Sequence, residues 1–158
     1  MGIAMRRLTA SVPVRAPSGF TLAFAWSYFR QRAERSGASN LPLRLPLDAI
    51  ARGLALHQPV AVEARYVEGD GTPDAIDISW APEESAAFPT FSGSLRTSSE
   101  NDGDCRLTLE GTYTAPGGIA GAAFDMVVGG RIARATIHAL LEQVRAAAEA
   151  DYRTRSAL

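Results

Sequence analysis

The chain has 158 residues, 46% of them hydrophobic and 21% charged, and a formal net charge of −1. That is the make-up of a soluble globular protein, a single domain over residues 1–158 with enough apolar sequence to bury a core. A near-neutral balance offers no basic face for nucleic acid. All 16 basic residues are Arg, which excludes Schiff-base catalysis, pyridoxal-phosphate attachment and a P-loop lysine.

The N-terminal MGIAMRR is not a secretory signal, because no apolar stretch follows its arginines before Arg15. Gly2 lacks the Ser or Thr that myristoylation wants at the position held by Arg6. No apolar run approaches membrane-spanning length, so no stable membrane insertion is expected and the expected location is cytoplasmic. From Arg7 to Arg15 the residues alternate: Leu8, Ala10, Val12 and Val14 on one face, Arg7, Thr9, Ser11 and Pro13 on the other. This predicts a half-buried strand, with Pro13 placing it at an edge or an end. Pro17, Ser18 and Gly19 break it, and Thr21 is the expected cap of an aromatic-rich helix that stops before Gly37.

In LPLRLPL, Leu41, Leu43, Leu45 and Leu47 share one face while Pro42 and Pro46 cannot donate to a ladder, as in an edge strand or extended segment. The stretch DAIARGLALHQP fits a short helical turn or a bulged strand. Two hairpins follow, VAVEARYV with AIDISWAP and PTFSGSLRT with CRLTLEGTYT, each joined by a polar, Gly-containing turn. Val60, Val62, Ala64 and Tyr66 fall on one face of their strand, as do Ile76, Ile78 and Trp80, then Phe91, Gly93 and Leu95, then Leu107, Leu109, Gly111 and Tyr113. The other faces carry Glu63, Arg65, Asp77 and Glu110. One side of this sheet is wet and the other covered.

The C-terminal segment is a long amphipathic helix. Met126, Gly130, Ala133, Ile137, Leu140, Val144 and Ala148 form one stripe with Leu141 beside it; Arg131, Arg134, His138, Glu142, Arg145 and Glu149 form the other. Around Phe124, Val127 and Val128 the apolar surface extends to nearly all sides. The N-terminal helix, a loop, a ligand or a second copy in a homodimer would have to cover it. A long helix laid against a bent antiparallel sheet is an architecture that holds apolar molecules between the two.

The residues that carry chemistry are few. Cys105 is the single cysteine and His57 and His138 the two histidines. No disulfide, Cys-based metal knuckle or multi-histidine metal site is therefore expected. The NDGD turn beside Cys105 raises a thiol pKa rather than lowering it, which argues against a nucleophile. His57, before Gln58 and Pro59, reads as an exposed loop residue and a weak general-base candidate. Gly117, Gly118 and Gly121 have the wrong spacing for a dinucleotide fingerprint and read as a strand-to-helix turn.

The element order, and the wording IDISWAPE, FPTFSGSL, LTLEGTYTAPGGIAGAAFD and GGRIARATIHALLEQV, resemble the SRPBCC (START-like) superfamily. The junction from Pro116 to Arg131 is the most specific part. The chain is more similar to an uncharacterised bacterial branch than to a subfamily with known chemistry. The resemblance implies an α+β helix-grip fold: a bent antiparallel sheet of six or seven strands wrapped around a long C-terminal helix, with a helix inserted after the first strand. It also implies a cavity between sheet and helix for a hydrophobic or amphipathic small molecule, lipid- or polyketide-like. Tyr66, Trp80, Phe91, Tyr113, Met126 and Ile137 are the expected lining; the same residues could instead fill an ordinary core. No catalytic residue, metal ligand or cofactor is assigned. Two other functions compete with small-molecule binding: a polyketide cyclase/dehydratase-type enzyme using Tyr66, Tyr113 or His57, and a protein–protein interaction module without a small-molecule ligand.

Overall fold

The structure is a computed structural model describing residues 5–36, 40–44, 59–68, 73–81, 90–114 and 130–158; for the second and third strands only the backbone is described. In chain order the elements are β1 (Met5–Val14), α1 (Ser18–Ser36), β2 (Asn40–Arg44), β3 (Pro59–Glu68), β4 (Pro73–Ala81), β5 (Thr90–Ser99), β6 (Cys105–Thr114) and α2 (Gly130–Ser156). The six described strands form one antiparallel sheet in the order β1-β6-β5-β4-β3-β2.

The two strands with a proline inside them lie at its edges, where a missing N–H costs no ladder bond: β1 with Pro13 and β2 with Pro42; the inner strands β3 and β4 carry theirs, Pro59 and Pro73, only as first residue. The alternation read in β1 is the observed one. Leu8, Val12 and Val14 are buried, while Thr9, Ser11 and Pro13 are exposed. The strand begins two residues earlier than its alternation suggested, at Met5.

The two helices divide the covered face. α2 packs on β1 and β6, and α1 reaches across β2 to β6. α1 buries Leu22, Ala25 and Phe29 at helical spacing. α2 buries Ile137, Leu140, Leu141, Val144 and Ala148, the stripe expected from the wheel. Arg131, Arg134 and His138 on its other side are exposed. Phe124, Val127 and Val128, and the stretch DAIARGLALHQP apart from Pro59, lie outside the described residues, as do His57, Gly117, Gly118 and Gly121.

The start of α1 differs from expectation. Thr21 does not cap the helix: α1 begins at Ser18, and the Thr21 N–H donates to the Pro17 carbonyl at 2.9 Å, an ordinary first-turn bond. Pro17 has no N–H to satisfy, which suits it to a helix entrance. Ser18 fastens this end to the sheet: its Oγ donates to Thr97 Oγ1 at 2.8 Å, and that hydroxyl donates back to the Ser18 carbonyl at 3.3 Å. The far end of α2 arrives at the same place. Tyr152 tilts against Phe20 at 5.0 Å between ring centroids, and the Arg15 N–H donates to Glu149 Oε1 at 2.9 Å. One end of the sandwich is thus closed by contacts among β1, α1 and α2.

Candidate functional site

The register assembles the covered face in rows across the strands. Ser99, Cys105 and Val14 make the row at the closed end. At the opposite end Val62 lies beside Trp80, Trp80 beside Phe91, Phe91 beside Tyr113, and Tyr113 beside Arg6. Neighbours in such a row stand about 5 Å apart. Four aromatic or β-branched residues from β3 to β6 therefore form one band, although each arises from a separate stretch of sequence.

Phe91 and Tyr113 are 3% exposed and Ile137 is fully buried; all three belong to the same apolar cluster. Tyr66 lies opposite Ile76 and Trp80 opposite Phe91, at covered-face register positions of β3 and β4; the side chains of Tyr66 and Trp80 are outside the described set. Met126 is outside the described residues.

A gap in side-chain height shapes the band. Gly93 and Gly111 are directly opposed on β5 and β6. The tip of the Phe91 ring leans over them, its Cζ 2.7 Å from where a Gly93 Cβ would sit. The ring therefore occupies a recess that only glycine leaves open.

The remaining candidates separate from this band. Asp77 and Glu110 are exposed on the opposite side of the sheet, where Ser94 Oγ donates to Asp77 Oδ1 at 2.7 Å. Glu63 and Arg65 share that side by register, Arg65 facing Asp77. A depression of about 650 Å³ on the same side is lined by Arg7, Ser92, Ser94, Arg96, Thr108 and Glu110. It is open to water, and apart from Gly111 its lining residues are all polar or charged. Cys105 is buried at the closed end, its thiol donating to Thr21 Oγ1 at 3.3 Å. Burial pushes its pKa up, the Thr21 bond works against the rise, and Glu100 and Asp104 add to it. A thiol held neutral in this way is a poor nucleophile. Among the described residues no group of three or more His, Cys, Asp or Glu is placed to hold a metal. Nor is any described helix long and apolar enough to cross a membrane.

One residue of the band was missed in the sequence. Arg6 takes the position opposite Tyr113 because β1 begins at Met5. The signal was present: two positions before Leu8, on the same side of the strand, is Arg6.

No family model and no curated protein matches the chain. Solved structures do. A conserved protein from Geobacillus kaustophilus matches with TM-score 0.57 and 16% identity, over 90% of this chain and 95% of that one. A norcoclaurine synthase point mutant from Thalictrum flavum, in complex with a transition-state analogue, matches with TM-score 0.53 and 10% identity, over 91% and 96%. The same plant's norcoclaurine synthase in complex with dopamine and hydroxybenzaldehyde matches with TM-score 0.51 and 9% identity, over 90% and 87%. The likeness over nine-tenths of the chain establishes the architecture: the protein has the helix-grip fold of these structures.

Proposed function

We propose that this protein binds a small hydrophobic or amphipathic molecule between the covered face of its sheet and α2. The observation that carries the reading is the band Val62, Trp80, Phe91 and Tyr113, assembled from four strands at the end of the sheet away from the Arg15–Glu149 closure. Apolar walls with a few hydroxyls are what a small-molecule site requires. Two of the compared structures with this fold hold small aromatic molecules or an analogue. Tyr66, Met126 and Ile137 complete the proposed lining. Nucleic acid has no part in this reading, because a net charge of −1 supplies no basic face. A cytoplasmic location goes with it, supported by a composition with one buried, unpaired cysteine.

Native mass spectrometry of freshly purified protein, repeated under denaturing conditions, is the first test. A non-covalent mass lost on denaturation supports the reading. The second test is titration with the neutral fluorophore N-phenyl-1-naphthylamine, with dodecanol as competitor. Saturable, displaceable binding is expected; a clean apo mass together with no saturable binding would overturn the proposal.

A further inference from the structure

We propose that the molecule held against the covered face carries an anionic headgroup, a carboxylate or a phosphate, and that Arg6 receives it. This rests on the reading above and specifies its ligand. The argument begins with parity. Arg6 precedes Leu8 by two, and Leu8, Val12 and Val14, all on that side of β1, are buried. In a strand, residues two apart share a face, so Arg6 belongs to the covered face and Arg7 to the outer one. Among the described side chains on the covered face of the sheet, Arg6 is the only charged group; Asp77, Arg96 and Glu110 all lie on the other side.

Its exposure matters equally. Arg6 is exposed, whereas Tyr113, its cross-strand neighbour, is 3% exposed and Phe91 beyond it is also buried. The row passes from water to core in one cross-strand step of about 5 Å. A positive charge at the wet end and an apolar wall inward is the polarity of an amphiphile lying along the row. Its hydrocarbon would run inward along the row, on the Phe91 side of Tyr113, and its head would stay at the rim, where a charge need not be desolvated. A guanidinium matches carboxylate and phosphate oxygens in a two-pronged geometry. A cationic head at that position would be repelled, and a neutral one would forgo the interaction.

The test displaces N-phenyl-1-naphthylamine from the full-length protein with four probes of equal chain length: laurate, dodecyl phosphate, dodecanol and dodecyltrimethylammonium. Laurate or dodecyl phosphate should bind roughly threefold to tenfold more tightly than dodecanol, the range for a partly exposed charge pair. Whichever is tighter assigns the head as carboxylate or phosphate. Arg6→Gln should erase that preference, bringing laurate and dodecyl phosphate to the affinity of dodecanol for the same variant. Arg6→Lys should retain part of it, and Arg6→Glu should favour the ammonium probe. Because Arg6 is exposed at a strand end, these variants should keep the wild-type circular dichroism. Equal affinity for anionic and neutral probes, or a preference that survives in Arg6→Gln, would overturn the headgroup assignment alone. Failure of every probe to bind would overturn the binding role itself, and this inference with it.

Discussion

Phe91 and Gly111 occupy adjacent strands, and the Cζ of the Phe91 ring stands 2.6 Å from the point where a Gly111 Cβ would lie. The ring covers the glycine that makes room for it. A Cβ at Gly111 would also press on the backbone, against the Ser92 carbonyl and the Gly93 Cα. Neither can yield as a flexible side chain would.

Gly111→Ala should therefore destabilise the fold by about 1–3 kcal/mol, the usual cost of overpacking a core. Phe91→Ala should cost about 3–5 kcal/mol by leaving a cavity. Urea denaturation with an unchanged slope measures both. A Gly111→Ala protein within about 0.5 kcal/mol of wild type would mean that the ring and the two strands are not packed as described.

The Cys105 thiol, pushed up chiefly by burial, predicts both slow chemistry and a direction of pH dependence. Cys105 should resist iodoacetamide in the native state and react once urea unfolds the chain. At pH below the ordinary thiol range both states hold the proton. As pH rises through that range the unfolded chain releases its proton first, so stability falls with rising pH until the folded-state value is passed. Cys105→Ala should remove that component of the alkaline slope. An unchanged slope, or prompt alkylation of the folded protein, would contradict the buried, hydrogen-bonded thiol.

Two carboxylates on α2 should behave differently. Glu149 accepts the Arg15 N–H at 2.9 Å and an Arg145 Nη1–H at 3.3 Å, and its side chain is 14% exposed. Asp151 pairs with Arg155 at 2.7 Å, but that Arg side chain is 70% exposed. Glu149→Ala should cost about 1 kcal/mol, because it leaves a backbone donor short of a partner. Asp151→Ala should cost less than about 0.5 kcal/mol. Equal thermal shifts for the two variants would show that Glu149 does not fasten the β1–α1 corner.

The β5–β6 turn depends on Asn101. Its Oδ1 accepts the N–H groups of Gly103 and Asp104, both at 2.9 Å, and its Nδ2 donates to Asp104 Oδ2 at 3.0 Å. Asn101→Ala should destabilise by about 1 kcal/mol. Asn101→Asp keeps the acceptors but sets a second carboxylate against Asp104, so it should recover stability only at acid pH. Full recovery at neutral pH would show that the Nδ2 bond adds nothing.

Period and composition alone determined the elements and their inner faces. Alternation in β1 and in the two hairpins, and the stripe from Ile137 to Ala148, are local properties of the chain, and they translate directly into burial because apolar faces must leave water. The strands with an internal proline, β1 and β2, were legible as edges for an equally local reason. What neither pattern contained was adjacency. Which residue of β6 meets which of β1 is a matter of register, and only the folded sheet set Arg6 beside Tyr113 and Tyr113 beside Phe91. Thr21 shows the same limit. Its type suits a cap, yet packing against Cys105 draws it into the first turn, where its hydroxyl has a buried thiol to receive. A local preference worth about 1 kcal/mol yields where tertiary contacts offer more, so the tertiary structure decided the ends of the elements and the neighbours of the candidate site.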